Sequence, residues 1–242
     1  MFKLRTVFTL CFVICAASFA GKASASPKSV TYCIDPAWVP YEMLRNDKHV
    51  GISADYLKLV GELANLNFKL VKTDSFRQSL EYVQTGRCML MSMLNSSAHR
   101  NVYLDFTVPY FQSPNVLIAR DAKVMYQGLE GLNNQLVGVA KDSFLADYLT
   151  RYYSQLSLQL FESEGEGLRA LSSGDVDVFA GALLSINTEL NKMNMQEMAI
   201  VGYAEPYNSL RMGVNKAYPE LVAQINDAIE RIPEAARVDI YK

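Results

Sequence analysis

The sequence has few of the side chains that build metal centres or catalytic sites. Its 242 residues include only 4 cysteines, 2 histidines and 1 tryptophan. His49 and His99 lie far apart and have no metal-ligating partner at a useful spacing. No Cys or Ser lies in a recognisable nucleophile motif, and Gly165 and Gly167 are isolated glycines rather than a phosphate-binding loop. We therefore expect no metal or other cofactor, and a binding protein rather than an enzyme.

The chain also lacks an excess of positive charge and, beyond residue 25, any long hydrophobic run. The formal net charge is −2, whereas proteins that bind nucleic acid carry a basic face. No stretch after residue 25 has the length and apolarity of a transmembrane helix. These absences predict a soluble protein without a nucleic-acid partner, and we expect it to be a monomer.

The first 25 residues have the pattern of a secretory signal peptide. Lys3 and Arg5 precede an apolar run over residues 6–20, which is too short to span a bilayer. Small residues at positions 23 and 25 predict cleavage after Ala25 and a periplasmic location. Cleavage would remove three basic and no acidic residues, so the net charge would become −5. The remaining 217 residues suffice for two lobes of about 100 residues each.

Cleavage would leave two cysteines, Cys33 and Cys88, each in a predicted strand of the same sheet. An exported protein meets an oxidising compartment, where disulfides persist. A disulfide requires Cα atoms within about 7 Å of each other. A Cys33–Cys88 bond is therefore a hypothesis, and two buried thiols are the alternative.

A buried apolar run that ends in a polar turn is the most informative stretch. Residues 88–94 are almost all apolar and predict a strand covered on both faces. The turn that follows contains Asn95 and Ser97, at the end of a strand where open α/β sheets bind ligands. Arg100 comes next, and a guanidinium can hold a carboxylate through two parallel hydrogen bonds. The sequence thus predicts an anion site here, with a solvated surface arginine as the alternative for Arg100.

A second polar segment follows the strand predicted over residues 30–34. Residues 35–42 contain two prolines, which predict an irregular loop instead of a ladder or helix. This loop begins with Asp35 and carries Trp38. A flat aromatic ring at the end of a strand can stack on a ligand. The alternative is that Trp38 fills the core.

Strand and helix patterns alternate along the rest of the chain, as in α/β proteins. Asp142 or Ser143 is predicted to cap one helix, whose free N–H groups would favour an anion. The predicted helices cover residues 51–65, 76–85, 144–153, 166–173 and 218–232, and further strands cover 68–71, 115–119, 136–140, 177–180 and 210–214.

Three segments together resemble the type II periplasmic solute-binding proteins of family 3. They are Gly86-Arg87-Cys88, the Asn-Ser-Ser-Ala-His-Arg turn over residues 95–100, and Leu-Asp-Phe-Thr-Val-Pro-Tyr over residues 104–110. The resemblance runs through almost the whole chain after residue 25 and is greatest to the sensor-type branch. It implies a two-lobed α/β fold in which each lobe has a mixed, mostly parallel sheet flanked by helices. Lobe 1 would comprise residues 26–111 and 209–242, and lobe 2 residues 112–208, joined by two hinge crossings.

The resemblance also implies roles for residues in the cleft between the lobes. Arg100 would hold a ligand carboxylate beside Asn95 and Ser97. Trp38 would stack on the ligand, and Asp35 in the same loop belongs to the predicted site. Two further predicted contacts have structural alternatives, namely Ser143, which could be only a helix cap, and Phe76, which could be only a core residue.

One position departs from the amino-acid-binding members of this family. In those members an aspartate five residues after the Asp of a Gly-x-x-Asp motif binds the α-ammonium group of the ligand. Counted from Asp177, that position is Ala182. A buried ammonium group needs an opposite charge or several acceptors. A standard α-amino acid ligand is therefore in doubt, while a carboxylate bound by Arg100 is still allowed.

Three functions follow from the resemblance. The favoured one is a solute-binding protein that closes on a small carboxylate-bearing metabolite for uptake through an ABC-type permease. The alternative is a sensory ligand-binding module for a membrane receptor. The third is an enzyme, because some periplasmic dehydratases have this fold. They use an acidic residue near position 182, and residues 181–185 contain none.

Overall fold

The computed structural model describes residues 28–241. The predicted signal peptide and its cleavage site after Ala25 lie outside the described residues. Across residues 28–241, no helix has the length and apolarity needed to cross a membrane. The strands are β1 (Lys28–Cys33), β2 (Ala37–Trp38), β3 (Glu42–Arg45), β4 (Lys48–Val50), β5 (Leu66–Leu70), β6 (Leu90–Leu94), β7 (Leu104–Phe106), β8 (Phe111–Ala119), β9 (Leu136–Ala140), β10 (Ser157–Phe161), β11 (Val178–Ala182) and β12 (Ala199–Asn215). The helices are α1 (Ile52–Ala64), α2 (Phe76–Gln84), α3 (Phe144–Tyr152), α4 (Glu164–Ser173), α5 (Leu183–Met193), α6 (Pro219–Glu230) and α7 (Glu234–Ile240), with short 3-10 helices at Arg100–Val102 and Leu129–Leu132.

The first lobe is built on β5, β1, β6, β7 and the C-terminal part of β12. β1 runs parallel to both β5 and β6, whereas β12 is antiparallel to β6 and β7. All five residues of β6 are buried, as expected for a strand that is covered on both faces. Helices α1 and α6 bury Val60 and Leu221 in the core, which also contains Val30 and Leu90.

The second lobe is built on β10, β9, β11, β8 and the N-terminal part of β12. β9 runs parallel to β10 and β11, and β8 is antiparallel to β11 and β12. One hydrophobic cluster contains Leu149 of α3 with Val139. Another contains Leu168 of α4 and Ile186 of α5 with Phe179. The helices on both faces leave the strand ends free to form a site.

Strands β8 and β12 connect the two lobes. They pair from Ala199 opposite Ala119 to Leu210 opposite Phe111, and β12 then continues to pair Gly213 with Met91 of β6. The structure confirms the predicted α/β class with mixed sheets, helices on their faces and two lobes joined by two crossings. The predicted lobe boundaries, near residues 111 and 208, fall within these two strands.

The prediction of an irregular loop over residues 35–42 was wrong in part. Ala37 and Trp38 form β2, which pairs with Met43 and Glu42 of β3, and β4 completes a three-stranded sheet. The prolines lie on either side of β2 rather than within it, so the short ladder loses no hydrogen bond to them.

Helix α7 was not predicted from the sequence, and two helices of the second lobe also differ from the prediction. Helix α4 begins at Glu164, two residues earlier than predicted, because Ser163 Oγ accepts a hydrogen bond from Glu166 N at 3.2 Å. Helix α5 was not predicted, although it directly follows β11. Both differences lie at the side of the cleft formed by the second lobe.

A disulfide joins Cys33, at the end of β1, to Cys88, shortly before β6. Their Cα atoms are 5.8 Å apart, and both residues are fully buried. The bond joins the carboxyl end of β1 to the segment that leads into the neighbouring strand β6.

Candidate functional site

A cavity of about 750 Å³ lies between the lobes. From the first lobe it is lined by residues 35–39, the beginning of α2, Asn95 and Arg100. From the second lobe it is lined by the beginnings of α3 and α4 and by the end of β11. The cavity thus lies outside the carboxyl ends of strands in both sheets, where α/β proteins bind ligands.

Arg100 is a buried cation in this cavity and not a solvated surface residue. Only 4% of the residue is exposed. Its Nη1 donates to the carbonyl oxygen of Asn95 at 2.9 Å, and its backbone N–H donates to Ser97 Oγ at 3.3 Å. Burial lowers the pKa of the guanidinium. Among residues 28–241 no carboxylate forms an ion pair with it. A buried charge without a counterion is costly, so an anion in the cavity would stabilise it.

Phe76 contacts the same guanidinium. The Cζ atom of Arg100 lies 5.4 Å from the centroid of the Phe76 ring, within the range of a cation–π interaction. Phe76 is the first residue of α2, and Ser75 Oγ caps this helix by accepting from Gln78 N. The ring also packs against the core cluster around the disulfide. Phe76 therefore lines the cavity and also packs against the core, and its contact with a ligand stays a prediction.

Three asparagines connect Arg100 to both crossing strands. Asn95 Nδ2 donates to Asn208 Oδ1 at 2.9 Å, and Asn208 Nδ2 donates to Asn115 Oδ1 at 2.7 Å. The backbone N–H of Ser209 donates to Asn95 Oδ1 at 2.8 Å. All three asparagines are buried and line the cavity. The sequence did not identify Asn115 or Asn208, although both lie in or beside the predicted crossings.

Trp38 forms an aromatic side of the cavity. Its ring stacks on Tyr41, with centroids 4.1 Å apart and planes 22° apart. The hydroxyl groups of Tyr41 and Ser113 lie 2.6 Å apart and form a hydrogen bond. Trp38 is half-buried, packs against the first-lobe core and lines the cavity. The packing against Tyr41 holds one face of the indole in place.

Asp35 lies between β1 and β2 and is positioned by two hydrogen bonds. Its Oδ1 accepts from Ala37 N at 3.0 Å, and its own N–H donates to Glu42 Oε1 at 2.7 Å. Burial raises the pKa of Asp35 to about 6. Glu42 is fully buried, accepts from Ser92 Oγ at 2.5 Å, and has its pKa raised by burial to about 8.

The second lobe contributes Ser143 and Glu164 to the cavity. Ser143 caps α3, and its Oγ accepts from Ala146 N at 3.0 Å. Glu164 is the first residue of α4. Burial raises the pKa of Glu164 to about 7. Hydrogen bonds from Ser185 and from the backbone of Ala182 lower this pKa, but their effect is smaller than that of burial. Glu164 was not predicted from the sequence, although the pattern Ser163-x-x-Glu166 is a helix-start signal that would have placed it on α4.

Six charged residues that line the cavity form three ion pairs. Arg77 Nη2 of α2 lies 2.6 Å from Asp142 Oδ2 in the second lobe, so this ion pair crosses the cleft. Within the second lobe, Lys141 pairs with Glu162 and Lys192 pairs with Glu189. None of these three pairs involves Arg100, Asp35 or Glu164.

The structure thus places most of the predicted contacts around one cavity. It is lined by Arg100, Trp38, Asn95, Phe76, Asp35 and Ser143. Ser97 is not among the lining residues, and its hydroxyl is engaged by the backbone of Arg100. A direct contact between Ser97 and a ligand stays a prediction, as do the individual ligand contacts of the other residues.

Two α/β lobes, two crossing strands and a buried arginine in the cleft define a type II binding protein of the periplasmic kind. The model of the bacterial extracellular solute-binding proteins, family 3, matches residues 30–241, and the chain belongs to this family.

Similar proteins in the family include both sensors and transport proteins. The chain is 23% identical over 195 residues to the virulence sensor protein BvgS of Bordetella pertussis. The matched region covers 80% of this chain and 16% of BvgS. It is also 23% identical over 225 residues to ABC transporter arginine-binding protein 1 of Escherichia coli, covering 89% of each chain. Among solved structures, a histidine kinase sensor domain with similarity to periplasmic binding proteins matches with a TM-score of 0.78 and 19% identity. This match covers 89% of this chain and 95% of the sensor domain, and it shows the shared fold.

Proposed function

We propose that the protein is a periplasmic solute-binding protein that captures a small carboxylate-bearing metabolite for ABC-type uptake. The observation that carries this proposal is Arg100, a 4% exposed guanidinium that lines the interlobe cavity and forms no ion pair within residues 28–241. A ligand carboxylate would supply the missing charge and accept two parallel hydrogen bonds from the planar guanidinium.

The contacts of Arg100 support a fixed anchor. Its Nη1 is held by the carbonyl oxygen of Asn95, and the Phe76 ring packs beside it. Rigid placement lowers the entropic cost of binding, because the side chain does not have to be ordered by the ligand. The asparagine chain extends this support to Asn208 and Asn115 on the strands that cross between the lobes.

Ligand capture by closure follows from the same arrangement. The cavity is lined from both lobes, so a ligand makes its full set of contacts only when the lobes are together. A ligand that contacts both lobes shifts the population toward the closed form by its differential affinity for that form. The two crossing strands are the segments that would bend.

The match to the E. coli arginine-binding protein over 89% of both chains supports the uptake role. A second candidate, a sensory module that presents its closed form to a membrane receptor, is supported by the similarity to BvgS and to the kinase sensor domain. The two roles differ in the partner of the closed form. Co-purification of crosslinked, ligand-loaded protein from its native membrane would distinguish them, since uptake requires a permease and sensing requires a receptor.

The binding proposal is tested by a thermal-shift screen over amino acids, dicarboxylates, polyamines and sugar acids, followed by calorimetry on each hit. A specific ligand raises the unfolding midpoint by mass action. Arg100→Ala should lose about 2–5 kcal/mol of binding free energy, as expected when one partner of a buried charge pair is truncated. Trp38→Ala should lose less.

Arg45→Ala is a matched control, because Arg45 is an exposed first-lobe arginine that does not line the cavity. Arg100→Lys tests the planar geometry, since it keeps the charge and loses the two parallel hydrogen bonds. Unchanged affinity of a well-folded Arg100→Ala protein would remove Arg100 from the site and overturn the proposal. Mass spectrometry of the recovered ligand should find it unaltered, and a converted product would favour the enzyme candidate.

A further inference from the structure

Tyr41 is a fully buried side chain that contacts both lobes. Its ring stacks on Trp38, which lines the cavity, and meets the ring of Phe111 edge-on with centroids 6.0 Å apart. Its hydroxyl group shares a hydrogen bond with Ser113 of β8, one of the two crossing strands. The same hydroxyl group also hydrogen-bonds to the backbone of Leu184 in the second lobe. Tyr41 therefore links the cavity wall, a crossing strand and the second lobe.

The second-lobe contacts of Tyr41 depend on the lobes being together. Ala182, at the end of β11, is buried in the same hydrophobic cluster as Tyr41, and Leu184 of α5 packs against that cluster. Because β11 and α5 belong to the second lobe, opening of the cleft would withdraw both residues from Tyr41. The surroundings of Tyr41 thus differ between an open and a closed arrangement of the lobes.

Phe111 connects this cluster to helix α7. The ring of Phe111 is buried and stacks on the ring of Tyr241, directly after α7, with centroids 5.0 Å apart and planes 20° apart. Phe111 also meets Tyr56 of α1 edge-on with centroids 6.3 Å apart, and Tyr56 hydrogen-bonds to Arg237 of α7. Neither Phe111 nor Tyr241 lines the cavity. A chain of ring contacts thus runs from the cavity wall to a helix outside the cavity.

Helix α7 is held weakly enough to respond to a change in these contacts. It is 7 residues long and contains no fully buried residue, so packing against the first lobe has to stabilise it. That packing includes Ile240 against the core and the stack of Tyr241 on Phe111. Arg237 Nη2 also donates to the carbonyl oxygen of Ile229 at 2.6 Å. Elements with few buried contacts open locally at low cost in free energy.

We propose that the ring contacts of Tyr41 and Phe111 couple closure of the cleft to the docking of α7 on the first lobe. In the closed arrangement the second lobe holds Tyr41 in place, and Tyr41 fixes the Phe111 ring as a flat surface for Tyr241. In the open arrangement Tyr41 loses its second-lobe contacts, the Phe111 ring gains freedom, and α7 docks less firmly. The inference rests on the lobe closure of the proposed function but on no particular ligand.

The coupling is a linkage between two equilibria, closure and docking, and is therefore reciprocal. The same contacts that strengthen docking in the closed form make the closed form more stable when α7 is docked. A ligand that closes the lobes would thus change a surface that the ligand does not touch, which is the surface formed by α7 and the residues it covers.

A crosslink that holds the lobes together tests the inference without a ligand. Arg77 and Asp142 form an ion pair across the cleft, so the double variant Arg77→Cys and Asp142→Cys can be bridged by a short bis-maleimide. The native cysteines are buried and bonded to each other, so they do not compete for the reagent. The open reference is the same variant with fluorescein maleimide on both new cysteines, because two bulky anionic groups repel each other across the cleft.

Two measurements compare the bridged and the open protein. Small-angle scattering should show a smaller radius of gyration for the bridged protein. Amide hydrogen exchange over residues 234–241 should be slower in the bridged protein by about five-fold or more, the lower end of the usual coupling between two sites.

Variants of the stacked rings test the route of the coupling. Phe111→Leu and Tyr241→Leu each remove one ring of the stack and keep an apolar side chain. In either background the bridged and the open protein should exchange residues 234–241 at the same rate. Tyr241 is 60% exposed, so Tyr241→Leu carries this test if Phe111→Leu does not fold. Tyr203→Leu is the control, because Tyr203 is 58% exposed and lies in the second-lobe part of β12, and it should keep the full difference.

The possible failures separate the inference from the proposed function. If the open protein is larger but exchanges residues 234–241 as slowly as the bridged protein, the coupling is refuted and binding at Arg100 is unaffected. If the difference in exchange persists in Tyr241→Leu, the route through the stacked rings is refuted. If two fluorescein groups do not enlarge the protein, the lobes do not separate, and the closure on which both proposals rest is overturned.

Discussion

The two sides of the cleft are built in different ways. On the first-lobe side, Arg100 and Asp35 are held by buried neighbours, namely Asn95 and the fully buried Glu42. A disulfide fixes two strands of the same lobe. On the second-lobe side, the cavity residues lie at helix beginnings, where Ser143 and Glu164 are the cap and the first residue of α3 and α4.

From this difference we expect the two sides to contribute differently to ligand binding. A side chain that is surrounded by buried hydrogen bonds is preorganised and holds a ligand group in one place. A helix beginning presents free backbone N–H groups and short side chains, and it can move with its lobe as a unit. The first lobe would therefore fix the carboxylate of the ligand, and the second lobe would report on what the rest of the ligand carries.

The largest expected effect concerns the covalent link. Replacement of Cys33 and Cys88 by alanine should lower the free energy of unfolding by about 2–4 kcal/mol, because the bond restricts the unfolded chain across a separation of 55 residues. Urea titration of the variant and of the oxidised wild-type protein measures this loss. Hydrogen exchange should show that protection falls mainly in the first lobe, since residues 112–208 contain no cysteine. An equal loss in both lobes would contradict the contrast between them.

The second prediction tests the buried carboxyl group behind the Asp35 loop. The pKa of Glu42 is raised from an ordinary value of 4.5 to about 8. The neutral form is thus favoured in the folded state, and its stabilising contribution is full below pH 4.5 and is lost as the pH rises through 8. The pKa values of Asp35 and Glu164 are also raised, to about 6 and 7, so these groups likewise make the free energy of unfolding fall as the pH rises. The pKa of His49 is lowered to about 4, so this group makes the free energy of unfolding fall as the pH decreases. Its effect is confined to pH values below about 6.5.

Glu42→Gln should therefore reduce the fall in unfolding free energy between pH 7 and 9. A single group contributes at most about 1.4 kcal/mol per pH unit. Urea titrations at pH 7, 8 and 9 measure the difference, and Glu130→Gln, at an exposed second-lobe position, should keep the wild-type slope. If Glu42→Gln and wild type lose stability in parallel above pH 7, Glu42 is already ionised in the folded protein.

The smallest effect should come from the ion pair that joins the two sides. The side chains of Arg77 and Asp142 are 71% and 42% exposed, and exposed pairs contribute only about 0–1 kcal/mol. Arg77→Ala should change ligand affinity less than five-fold, as measured by calorimetry. Lys28→Ala, which breaks an exposed pair within the first lobe, is the control. A loss as large as that of Arg100→Ala would show that the cleft opening, rather than its interior, carries the binding energy.

The sequence predicted more of the first-lobe side of the cleft than of the second-lobe side. The apolar run of β6, the turn after it and Arg100 are adjacent in the chain, so local pattern and strand direction sufficed to place them together. The helices predicted over residues 76–85 and 144–153 begin at Phe76 and Phe144 as expected, for the same local reason. Ala182 was correctly recognised as lacking an acid, but its neighbourhood was not foreseen.

The features that the sequence did not predict depend on contacts between distant segments. Glu164 approaches Gly181 and Ala182 only because α4 packs beside β11, and no local signal encodes that distance. The Asn95, Asn208 and Asn115 chain joins residues more than 90 positions apart in sequence. Short strands such as β2 likewise form only when their partners are in place.

By itself the sequence determined the α/β class, the family resemblance and the position of the guanidinium at a strand end, because each is encoded in local periodicity and turn chemistry. The tertiary structure alone decided that this guanidinium is buried with no ion pair among residues 28–241, and that residues of both lobes line the cavity around it. Charge compensation depends on distances through space, and these are set by the packing of the lobes rather than by spacing along the chain.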